Sequence, residues 1–85
     1  MDPVEISQLR NLGRRSAEMF SSVGVHSPDQ IRQLGSAGSY MLVKSAFPNL
    51  SLNFMWAVEG FLLDLDWREI PEDRKRALLN QVQSG

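Results

Sequence analysis

The stretch LRNLGRRSAEMF, residues 9–20, places one glycine between two glycine-free flanks, with a pair of arginines directly behind it. The Gly13-Arg14-Arg15 corner admits two readings: a tight turn between two helices, or a grip for a phosphate. Ahead of it, a first helix is expected from about residue 3 to 11. Asp2 is its N-cap, Pro3 lies in its first turn, and Ile6 and Leu9 share a face. Behind the corner, a second helix over about 16–22 buries Ala17, Met19 and Phe20, and Gly24 follows as its C′ residue.

Outward from that corner the chain continues as helices set apart by cap and stop residues, with no sustained period-2 alternation. In HSPDQIRQLG, residues 26–35, Ser27 is an N-cap, Pro28 the first helical residue and Gln30 the capping-box partner. Ile31 and Leu34 face inward, and Gly35 stops the helix. A fourth helix spans about 36–46, buries Tyr40, Met41 and Val43, and ends before Pro48. The run SLNFMWAVEGFLLDLD, residues 51–66, is apolar on nearly all sides, which marks a central helix wrapped by the others. Ser51 or Asn49 caps it. DWRE, residues 66–69, has the spacing of a capping box, and Pro71 opens a last helix with Ala77, Leu78 and Val82 inside. Phe54, Trp56, Phe61 and Trp67 read as core in preference to a dimer surface. The fold class is therefore all-α: one compact five- to six-helix domain over residues 1–85.

Shifted by 22 residues, the opening stretch overlies IRQLGSAGSYML, residues 31–42. Leu9, Arg10, Leu12, Gly13 and Met19 meet Ile31, Arg32, Leu34, Gly35 and Met41. This is either a tandem pair of helical hairpins or two helices that share a common Leu-Gly ending.

Composition narrows the function. With 85 residues and 42% hydrophobic content, the chain can bury a small core. It has no cysteine, hence neither a disulfide framework nor a thiolate metal site. No run approaches the ~20 apolar residues of a membrane span, and no signal peptide is visible, so a cytoplasmic location is expected. The net charge of −1 lacks the basic excess that phosphate neutralisation calls for. Residues 1–35 set Arg10, Arg14, Arg15 and Arg32 against Asp2, Glu5, Glu18 and Asp29.

Enzymatic constellations are missing. The single histidine, His26, lies beside a helix cap, with too few ligands around it for a metal. Ser16 has no local base to activate it. Glu59 stands on the most apolar helix and reads either as a buried carboxylate with a functional role or as one at the helix's solvent edge or paired with an arginine. Arg74, Lys75 and Arg76 read as a solvated helix face, with Glu72 four residues before Arg76. No cofactor is expected.

The pattern L-x-N-L-G-x-x-S-A-x-x-F followed by V-G-V resembles the helix-hairpin-helix motif. There, a glycine-bearing hairpin and the positive end of the second helix present backbone N–H groups to a DNA phosphate. Gly13 fits the second hairpin glycine. Asn11 takes the place of the first, being tolerant of a left-handed backbone. Ala17 fits the small residue between the helices. The candidate phosphate or partner contacts are thus Arg10, Asn11, Gly13, Arg14, Arg15 and Ser16.

Beyond the hairpin, residues 9–35, then Tyr40 with Val43-Lys44, then SLNFMWAVEGFL, then DWREIPEDRKRALL agree in order and spacing with a known domain. The chain resembles the C-terminal domain of the TfoX/Sxy family of bacterial competence regulators over about residues 8–79. That resemblance implies an all-α domain of helix-hairpin-helix type. It also implies a role in regulating DNA-uptake genes alongside the cyclic-AMP receptor transcription factor. Full-length members usually carry a further N-terminal α/β domain, so this chain is either a stand-alone version or a piece of a longer regulator. The expected function is a non-enzymatic interaction module that docks a protein, such as transcription machinery. The alternative is sequence-independent binding of the DNA backbone.

Overall fold

In the computed structural model, which describes residues 6–84, helices start and stop where cap chemistry places them. Helix α1 (Arg14–Ser22) follows Gly13 and closes at Val23. The N–H of Val25 reaches back to the Phe20 carbonyl, and that of Gly24 to Ser21, with Gly24 left-handed at φ 85°. This is a Schellman closure, sealed by the buried side chains of Phe20 and Val25. Helix α2 (Pro28–Ala46) opens with a complete capping box between Ser27 and Gln30. Helix α3 (Leu52–Leu63) is capped by Ser51, whose hydroxyl accepts from the Asn53 N–H. It ends on left-handed Asp64 (φ 58°). Helix α4 (Glu72–Ser84) follows Pro71.

The described residues form four α-helices and two short 3-10 turns, Ile6–Gln8 and Trp67–Glu69, rather than five or six helices. Two causes account for the difference. The helix expected before the Gly13 corner is a single 3-10 turn, and its expected cap at Asp2 and Pro3 lies outside the described residues. The third and fourth expected helices run on as α2, broken at Gly35, whose φ of 73° and ψ of 177° are non-helical. Asp66 caps the second 3-10 turn alone, accepting from the Arg68 N–H, so no capping box forms there. Hydrogen bonds from the Arg68 side chain and then its backbone hold the Asp66 carboxyl down to about 2.

The two Leu-Gly corners differ in geometry. In the first, Asn11 is left-handed (φ 67°) and Gly13 is extended (φ −109°, ψ −168°). In the second, Gln33 is helical and Gly35 itself carries the positive φ.

Helix α3 is the centre, as its all-round apolar character demands. It buries Phe54, Met55, Trp56 and Val58, packs along α2 and carries the second 3-10 turn at its end. Phe20 of α1 tilts against Phe54, ring centroids 5.2 Å apart. A radius of gyration of 12.1 Å matches the ~12 Å of a compact domain this long.

The break at Gly35 also corrects the core assignment. Helical spacing from Ile31 would bury Leu34 and later Met41, yet these are 37% and 42% exposed. Past the break the buried set becomes Ser36, Ala37, Ser39, Tyr40 and Val43, so the inner face has rotated. Trp67, expected in the core, is 37% exposed, and Ala77 is exposed beside buried Leu78.

Glu59 is buried on α3 at 2% exposure. Its Oε1 accepts from Ser36 Oγ at 2.7 Å, the residue that restarts α2 after the break. Its Oε2 accepts from Arg74 Nε at 2.9 Å and from the other guanidinium nitrogen at 2.6 Å. Lys75 lies over the Trp56 ring, 5.6 Å from its centroid. The expected solvated basic face of α4 is therefore partly a clasp: Arg74 and Lys75 tie α4 to α3.

Candidate functional site

The corner before α1 is built by tertiary contacts. Left-handed Asn11 directs its amide at the loop after α3. Its Nδ2 donates to the Leu65 carbonyl at 2.7 Å, and its Oδ1 accepts from the Trp67 N–H at 3.1 Å. Gly60 makes room for this clasp: a Cβ there would collide with the Asn11 amide and come within 2.7 Å of the Leu65 carbonyl. The neighbouring Arg10 donates to the Asp64 carbonyl and carboxylate at 3.3 and 3.4 Å.

Gly13 needs no special backbone freedom. It is the N-cap of α1 in an extended conformation, with open space where a Cβ would stand. It offers no side-chain cap, and the first turn of α1 carries no acidic residue. Arg14 pairs with Glu18 one turn on, at 3.6 Å and largely in solvent. Arg15 has no hydrogen-bond or ion-pair partner among the described residues.

Of the six residues singled out from the sequence, three line a common feature. Asn11, Arg15 and Ser16 edge a groove of about 710 Å³ between α1, the α2–α3 loop and α3. Its walls are Met19, Phe47, Leu50, Phe54, Ala57 and Trp67. Among the described residues Arg15 is the only charged side chain lining it. Arg10, Gly13 and Arg14 lie outside it. The wall formed by residues 46–57 was not foreseen. A faint signal exists in AFPNLS, residues 46–51, where apolar side chains bracket a Pro-Asn turn.

The remaining chemistry lies elsewhere. His26 is exposed at the α1–α2 junction, its ring Nδ1 3.5 Å from Ser21 Oγ and its backbone N–H donating to Gln30 Oε1 at 2.6 Å. Among the described residues no three His, Asp or Glu side chains converge as metal ligands. Nor, among them, is any helix long and apolar enough to cross a membrane.

A family profile described as the TfoX C-terminal domain matches residues 2–82. The chain belongs to that family. The fold of this TfoX C-terminal domain is also similar to the crystal structure of an uncharacterized protein from Listeria monocytogenes, triclinic form. The TM-score is 0.86 at 21% identity, covering 95% of this chain and 92% of that one. Among proteins of curated function, none matches the chain. In this TfoX C-terminal domain the groove beside α1 has room for a partner's side chains.

Proposed function

We propose that this TfoX C-terminal domain is a non-catalytic docking module of bacterial competence control, acting in the cytoplasm by holding a protein of the transcription machinery in the α1–α3 groove. The observation that carries this reading is the lining of the groove. Apolar walls of Met19, Phe47, Phe54, Ala57 and Trp67 suit buried side chains of a protein, whereas a phosphate backbone needs a basic track. The arginines do not form such a track along the groove, because Arg10 and Arg14 lie outside it, beside Asp64 and Glu18.

One observation favours the second reading, a helix-hairpin-helix corner that binds DNA phosphate. The first turn of α1 has no side-chain cap and carries Arg14 and Arg15, a charge pattern that opposes the helix dipole unless an anion sits there.

Two substitutions separate the readings. Ala57→Arg fills the groove, and Gly13→Asp sets a carboxylate over the start of α1. Docking predicts that immobilised domain retains a protein from nuclease-treated bacterial extract, identified by mass spectrometry. Ala57→Arg abolishes that retention and Gly13→Asp leaves it. Docking also predicts no saturable binding of duplex DNA at about 50 mM salt. DNA binding that weakens steeply toward about 200 mM salt and is lost in Gly13→Asp would overturn docking in favour of the phosphate reading.

A further inference from the structure

We infer that the occupant of the α1–α3 groove is an acidic amphipathic helix of a partner protein, with large apolar side chains on one face and a flanking carboxylate that pairs with Arg15. This rests on the docking reading above and names the chemistry of the partner. Three observations lead to it. First, the described residues offer no strand edge for an added strand, so an apolar groove takes a peptide by its side chains, as a helix laid in a groove. Second, a groove of about 710 Å³ has room for on the order of three or four Leu- or Phe-sized anchors, the number that one helix face presents over i, i+3, i+4 and i+7.

Third, the charge of the groove's described lining has one sign. Among the described residues no carboxylate lines it, and Arg15 stands at its edge with no partner among them. The N-terminal ends of α1 and α3 both border it, through Arg15 and Ser16 on one side and Ser51 and Asn53 on the other. Neither helix has an acidic residue in its first turn to offset its positive end. A basic partner would meet Arg15 and two positive helix ends. An acidic one finds a charge-assisted pair in a partly desolvated rim.

The test is a phage-displayed library of random 16-residue peptides, selected on this chain and counter-selected on Ala57→Arg. Enriched peptides should show apolar residues at helical spacing with Asp and Glu in excess over Lys and Arg. A selected peptide is then titrated calorimetrically against the wild-type chain and Arg15→Glu. That substitution is safe for folding, since it puts an acid in the first turn of α1. Binding should weaken about fivefold to tenfold, and exchanging the flanking acids of the peptide for lysines should restore it in Arg15→Glu. Peptides that depend on Ala57 but show no acidic excess, or tolerate the lysine exchange on the wild-type chain, overturn this inference and leave docking standing. If no enriched peptide depends on Ala57, groove docking fails with it. Sedimentation showing a dimer that Ala57→Arg dissolves would make a second copy the occupant, which also overturns the inference.

Discussion

At the scale of single residues, Asn11 carries more than a glycine in its place could. Its left-handed backbone is one that glycine adopts with ease. Its amide, however, bonds the Leu65 carbonyl and the Trp67 N–H, and no glycine supplies those groups. Asn11→Gly should therefore destabilise the domain by about 1–2 kcal/mol, read by chemical denaturation, even though the φ is relieved. An unchanged midpoint would mean that the clasp contributes nothing. Ser39 leads to the opposite expectation. Its hydroxyl is fully buried with no hydrogen-bond partner among the described residues. Four residues earlier stands Gly35, where the helix is broken, so the usual back-bond to that carbonyl is not made. Ser39→Ala removes the orphaned group and should stabilise by about 1 kcal/mol, raising Tm by roughly 4–8 °C.

At the scale of elements, the break in α2 decides which side chains face inward. Gly35 holds a backbone conformation that L-residues with a Cβ rarely adopt, although the space around it is open. Gly35→Ala should cost about 1–3 kcal/mol through backbone strain alone. If the strain is relieved by straightening the helix, Ser36 and Tyr40 turn away from the core and the loss of cooperativity is visible in the unfolding slope. A variant as stable as the wild type would show that the break is not enforced. Gly13, its partner in the sequence echo, is different: extended backbone and free space make it replaceable by any small residue. The echo records two helices that begin after Leu-Gly, and the identical letters are met by two different backbone solutions.

At the scale of the whole molecule, one buried carboxylate joins three helices. Glu59 on α3 accepts from Ser36 of α2 and from Arg74 of α4. Removing Arg74 strands that charge, while the half-exposed guanidinium tempers the loss. Arg74→Met should destabilise by about 2–4 kcal/mol, and Arg74→Met with Glu59→Leu should recover a good part, because the uncompensated charge is gone. Additive losses in that double-mutant cycle would rule out the coupling. Much of the architecture was legible along the chain. The Ser27–Gln30 capping box, the Ser51 cap, the Gly24 closure and the central position of α3 all follow from short-range chemistry, because a cap needs only its neighbours and an all-apolar helix has only one place to go. The groove was legible in part: three of the candidate contacts, Asn11, Arg15 and Ser16, stand on its rim, while its far wall carries only a faint local signal, since residues 46–57 approach α1 only when α3 is packed. Local sequence determined the helices, their ends and the family of this domain. Tertiary structure alone decided that Gly35 rotates the inner face of α2, that Arg74 is a clasp and that Asn11 reaches Trp67. Each of those rests on groups more than ten residues apart or on a backbone phase that no local spacing encodes.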